Sequence, residues 1–251
     1  MSGRRNKPNM SHDTSQLPEQ AVETPLQAQD ALPDDRLAAR LRGFGPIGIL
    51  AMLVILAGNL VMAPLSALLV LAWASRSRTP WREIGFVRPR SWAVTLAVGI
   101  AFGVTFKLLM KAVVMPLLGA PPINPAYHYL AGNTAALPGM LFAVIVGAGF
   151  GEETVFRGYL FERFGKLFGP GVGAKIAIVL ITSIGFGALH YPVQGLAGAQ
   201  QATIFGLLFG TIFAVTRRIW MLIFAHAAFD LTALAIIYWD IESDVAHLVF
   251  R

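Results

Sequence analysis

The chain has 251 residues, of which 55% are hydrophobic and 14% charged; its formal net charge is +6 and it has no cysteine. A soluble domain carries nearer a quarter charged residues, so the composition excludes an ordinary soluble protein and points to an all-α, polytopic membrane protein. The absent cysteine excludes disulfides, thiolate zinc sites and a cysteine nucleophile, and the positive charge collects where the chain leaves its apolar runs, which membrane topology explains without nucleic-acid binding.

Residues 1–42 are polar, with six basic and six acidic residues and no apolar stripe. They predict a disordered tail ahead of a helical membrane domain over 43–251. No apolar core follows the basic start directly, so the segment is not a secretory signal. Residues 44–73 form the first apolar run. As one helix it would measure about 45 Å, long for one span and short for two. Gly58, Asn59 and Pro64 interrupt it. A single tilted or kinked helix is expected, with a short re-entrant hairpin as the rival.

Residues 75–91 form a basic loop with Arg76, Arg78, Arg82, Arg88 and Arg90, and Trp81 and Trp92 suit an interface. Further spans are predicted over 92–118, 136–161, 174–190, 196–215 and 219–239, making about six. Lys107 and Lys111 sit one turn apart in the second; they snorkel, line a cavity, or mark where the helix leaves the core. The segment 161–168 is amphipathic and suits the interface. The first, third and fifth loops are basic, whereas the second and fourth hold no Lys or Arg. The odd loops are therefore expected in the cytoplasm. Six spans would put the N-terminus outside, against Arg36, Arg40 and Arg42; a hairpin over 44–73 removes the conflict.

The core motifs fall within 147–239. Ionisable groups at membrane depth are costly and usually functional. Glu153 and Arg157 are four apart on one helix face and can pair. Glu152 is rotated away from Glu153 and is the carboxylate left free for chemistry. Gly147, Gly149 and Gly151 let another helix approach closely. His190 ends the fourth span, with Pro192 two residues on. His226 and Asp230 share one face of the sixth, where a carboxylate fixes a histidine's tautomer for catalysis or metal binding. Counted from the flanking basic residues, Glu152, His190 and His226 lie roughly 16, 22 and 12 Å deep, all within a core about 30 Å thick, and tilt or a funnel is expected to close the spread so that the three pieces meet. Glu152, His190 and His226 match a catalytic zinc set, and the same residues could instead activate water without metal.

The sequences EETVFR (152–157), FGALH (186–190) and HAAFD (226–230) resemble the EExxxR, FxxxH and HxxxN/D motifs of the CAAX prenyl protease and bacteriocin-processing (CPBP, or Abi) family. The segment 80–86 is similar to one those proteins often carry before the core. The resemblance spans about 81–239. It implies an intramembrane endopeptidase with a glutamate-activated water, although the family also includes members known only as immunity or scaffold-like proteins. Carried over, Glu152 is the general base, helped by His190. Glu153 and Arg157 are the structural pair, and His226 and Asp230 face the substrate carbonyl or a metal. The last position is typically Asn in prenyl-protease members. An ionised aspartate would repel an oxyanion, so Asp230 is protonated, or orients His226, or a metal is present.

The expected function is hydrolysis of a peptide bond in a membrane-associated protein or peptide, in a bacterial-type inner or cell membrane, without cofactor or with zinc. A non-enzymatic immunity or adaptor protein and a proton-coupled carrier stand as alternatives.

Overall fold

The computed structural model describes residues 33–250. The chain divides into two units, Met1–Arg36 and Leu37–Arg251, and the long apolar helices all lie in the second. Of the tail expected to be irregular, residues 1–32 lie outside the described residues. Its last ten residues form a helix instead, α1 (Pro33–Arg42). Asp34 and Asp35 in its first turn and Arg40 and Arg42 in its last complement the helix dipole. Leu37, Ala38 and Leu41 give it a short apolar stripe, and Ala38 is buried.

The run 44–73 is not one tilted helix. It is two helices, α2 (Pro46–Val61) and α3 (Ala63–Arg76), broken at Met62, whose backbone is extended (φ −166°, ψ 134°). Pro64 decides this: inside a continuous helix its ring would clash with the carbonyl four residues back, and it has no N–H to donate. The two helices fold against each other. Ser66 Oγ donates to the Ile55 carbonyl at 2.6 Å, and a Cβ on Gly58 would come within 3.0 Å of Leu69. Both feet meet at Arg163. Trp73 Nε1 donates to the Leu41 carbonyl (3.0 Å), and Arg163 donates to the carbonyls of Arg42 and Gly43 (2.8 Å each). The hairpin therefore enters and leaves at one end of the molecule.

Among the described residues four helices are long and apolar enough to cross a membrane: α4 (Trp92–Leu117), α5 (Thr134–Phe168), α6 (Val172–Thr216) and α7 (Trp220–Tyr238). A short α8 (Glu242–Ala246) follows. Straight, the 45 residues of α6 would exceed two bilayer cores. Gly195 breaks it, with φ 64° and ψ −163°, a conformation that needs glycine. The arms on either side pack antiparallel: Gly187 faces Thr203, Gly206 faces Ser183 and Gly210 faces Val179. The fourth and fifth predicted spans are these two arms. With α6 bent back at Gly195 into two arms, the last five of the about six predicted spans correspond to α4, α5, the two arms of α6 and α7, and the first apolar run is the helical hairpin.

Close glycine contacts set the packing. A Cβ on Gly103 of α4 would collide with the Ala225 carbonyl oxygen of α7. One on Gly149 of α5 would lie 2.9 Å from Ala227 Cβ, and one on Gly151 2.9 Å from the Ala63 backbone at the hairpin tip. Along Ala143–Glu152 and Thr154–Leu160, α5 widens into π-type i→i+5 hydrogen bonding, a geometry frequent at functional sites.

The basic loops gather at one end. Glu83 lies 3.6 Å from Lys166 Nζ, and its carbonyl accepts from Arg217 at 3.0 Å. The hairpin feet join them through Arg163, which places Arg42 with the other basic residues and removes the topological conflict. At the opposite end, Glu242 accepts from Lys111 Nζ (3.1 Å) and from the Asn124 backbone N–H (3.0 Å). Gln194 beside the Gly195 break donates to Tyr127 Oη at 3.2 Å.

Candidate active site

Adjacent residues on a helix point in different directions, and α5 uses this to separate its two carboxylates. Glu153 turns into the bundle and is fully buried. Its Oε1 accepts from Arg157 Nη1 and from His226 Nδ1, each at 2.7 Å. Arg157 is buried too, with its guanidinium 5.1 to 5.6 Å from the rings of Phe186, Phe205 and Phe209 on the two arms of α6. Cation–π attraction and the Glu153 carboxylate together make this charge tolerable inside the apolar core.

Glu152 turns the other way, into a cavity of about 700 Å³ that runs from α5 towards the 118–133 loop. His190, His226, Asp230, Lys107 and Gln201 line it with Glu152. The three motif segments thus converge on one cavity, from α5, the first arm of α6, and α7. The histidine beside Glu152 is His226, whose Nε2 lies 3.8 Å from Glu152 Oε2 and 3.6 Å from Asp230 Oδ2. His190 donates from Nδ1 to the Phe186 carbonyl at 2.8 Å, which leaves Nε2 as its second polar atom.

Sequence reasoning gave Glu153 a purely structural partner in Arg157. The bond to His226 spans 73 residues and appears only once α5 and α7 are packed. It gives Glu153 the ring-orienting position that the sequence offered to Asp230. Lys107 takes the second of its three readings: it lines the cavity and donates to Gln201 Oε1 at 3.2 Å. Gln194 and Gln201 were missed, though amides in an apolar run are a legible signal. Tyr127, in the loop over the cavity, was missed as well. Burial first, then the charge of Asp230, pushes its phenol above the ordinary range, so it remains a neutral hydroxyl.

Zinc requires three protein ligands converging on one point. Among the described residues no group of three or more His, Asp or Glu side chains is arranged to hold a metal ion. Glu152, His190 and His226 do not form such a group here.

Residues 134–232 match the family model described as Rce1-like, type II CAAX prenyl endopeptidases. This stretch belongs to the Rce1-like family. The Rce1-like domain begins at the first residue of α5, takes in both arms of α6, and ends two residues beyond Asp230. It holds all three motif segments and is a CAAX-type endopeptidase domain of an integral, multi-pass membrane protein. The hairpin and α4 lie outside the matched stretch. No curated protein and no solved structure matches the chain.

Proposed function

We propose that the Rce1-like domain cleaves a membrane-associated protein or peptide with Glu152 as general base. One observation carries this reading: of two adjacent buried-helix carboxylates, Glu153 is consumed by Arg157 and His226, and Glu152 alone faces the cavity. In the reaction Glu152 takes a proton from water as the water oxygen bonds to the peptide carbonyl carbon. The tetrahedral intermediate collapses, the C–N bond breaks, and Glu152 returns the proton to the leaving amine. His190, held through Nδ1, presents its other nitrogen to the same cavity and assists Glu152.

His226 is fixed by Glu153, and its Nε2 faces the space between Glu152 and Asp230. Protonated at Nε2, it can donate to the developing oxyanion. Asp230 can donate there only while it carries a proton, because an ionised carboxylate repels the oxyanion. No step runs through a metal. The family's name makes a prenylated C-terminus the first substrate to try, and the cavity's mixed apolar and polar lining suits a peptide with a greasy anchor.

The test compares protein termini in membranes carrying the wild-type chain or Glu152→Gln. Wild type should generate new termini that disappear in Glu152→Gln, with the variant present at equal level. Identical termini in both would replace this reading with the non-enzymatic adaptor.

A further inference from the structure

The cavity holds a hydroxyl that the proposed hydrolysis does not use. Tyr127 lies in the 118–133 loop, outside the matched stretch, and lines the cavity with Glu152, His226 and Asp230. The loop is tied down where Tyr127 sits. Glu242 accepts from the Asn124 N–H at 3.0 Å. Asn124 in turn accepts from the Ala126 N–H at Oδ1 (3.1 Å) and from the Tyr127 N–H at its carbonyl (3.2 Å). Leu130 is buried against Leu234 and Ile237 of α7, and the Tyr127 ring packs on the same cluster. Gln194 Nε2 donates to Tyr127 Oη at 3.2 Å. A phenol oxygen both accepts and donates. Gln194 uses the accepting side, and among the described residues no group takes the phenol's own hydrogen.

The ring stands beside the reacting groups. His226, Asp230 and Leu234 are successively four apart on one face of α7, about 6 Å of rise per step. The cluster that holds the ring therefore begins one turn beyond Asp230. Burial raises the phenol above its ordinary range, and the charges of Asp230 and then of Glu152 act on it as well, so the hydroxyl keeps its proton where those carboxylates are ionised. An ionised Asp230 repels an oxyanion; a neutral hydroxyl near it attracts one. We propose that Tyr127 is a catalytic residue whose hydroxyl, positioned by Gln194, donates to the scissile carbonyl oxygen as that oxygen becomes the oxyanion. The proton stays on the phenol oxygen, so no bond forms or breaks at Tyr127. A donor fixed in advance needs no reorganisation at the moment of reaction. This rests on the hydrolytic reading of the same cavity.

The test uses the full chain in detergent and a farnesylated, internally quenched peptide. Tyr127→Phe keeps the ring on Leu234 and removes only the hydroxyl. Its kcat should fall about 100-fold, the effect of losing one oxyanion donor, with KM within about twofold of wild type and an unchanged melting temperature. Gln194→Leu leaves the hydroxyl in place and should lower kcat by less than about tenfold. If Tyr127 only fastens the loop through Gln194, both variants lose the same bond and the same activity. Equal losses, or a raised KM with kcat kept, would overturn the proposal.

A binding arm is independent of Glu152. The ligands are the same peptide and its analogue with a tetrahedral phosphinate in place of the scissile carbonyl, titrated onto Glu152→Gln with and without Tyr127→Phe. Tyr127→Phe should weaken the phosphinate at least about tenfold, the size of one hydrogen bond to a charged group, and leave the peptide unchanged. That result supports Tyr127 even if Glu152→Gln still cleaves, in which case only the assignment of Glu152 fails. An equal effect on both ligands, no effect on either, or no binding of the phosphinate overturns the proposal.

Discussion

Asp230 is the residue on which the chemistry turns. Its Oδ2 lies 3.6 Å from His226 Nε2, on the side of the ring opposite the Nδ1 that Glu153 holds. An aspartate needed to orient His226 would approach Nδ1 or share its bond; Glu153 already has that place. Asp230 is thus left facing the reacting groups. On the metal-free reading, Asp230→Asn keeps or raises kcat, because a neutral amide donates to the oxyanion without repelling it. Chelators should then have no effect on cleavage of a prenylated peptide. Chelator-sensitive cleavage together with loss of activity in Asp230→Asn would move Glu152, His190 and His226 to metal ligands. At this scale the sequence was informative about Glu152, because a carboxylate pair with one i,i+4 arginine leaves one member spare. It was silent on the Glu153–His226 bond, which joins two helices.

Among the elements, α4 carries the most weight for its size. It lies outside the matched family stretch, yet it brings Lys107 to the cavity because Gly99 and Gly103 let it seat directly on α7. A Cβ on Gly103 would collide with the Ala225 carbonyl oxygen and lie 2.9 Å from the Phe229 nitrogen, both of them backbone atoms that cannot swing aside. Gly103→Ala should therefore destabilise the protein by about 1–3 kcal/mol through overpacking, visible as a lower melting temperature in detergent. Gly173→Ala is the control: its Cβ would meet nothing within 4 Å, and its melting temperature should match wild type. Unchanged stability in Gly103→Ala would show that α4 and α7 are not seated as closely as these contacts require. Sequence patterning located α4 by its length and hydropathy. It could not say which of its faces meets α7, because the helix is apolar nearly all round.

For the molecule as a whole, the basic end and the cavity end are opposite. The 75–91 loop, Lys166, Arg217 and the hairpin feet converge at one end. The 118–133 loop, Gln194 and Glu242 close the other. With the basic loops in the cytoplasm, single cysteines at Ser75 and Tyr129, both exposed, should react with a membrane-impermeant maleimide from opposite sides. Labelling from one side would remove the arrangement of five crossings and a hairpin.

The sequence by itself determined the class of solvent, the apolar runs, the alternation of basic and uncharged loops and the three motif segments. These follow from the cost of taking charge and backbone into lipid, which depends on residue type and run length alone. The tertiary structure decided that 44–73 doubles back at Met62, that Glu152 and not Glu153 faces the cavity, and that Lys107 meets Gln201 across 94 residues of chain. Those outcomes depend on how each helix is rotated and how near its neighbour lies. In a lipid-like environment hydrophobicity does not select a face, and close glycine packing and buried polar bonds between distant residues make the choice.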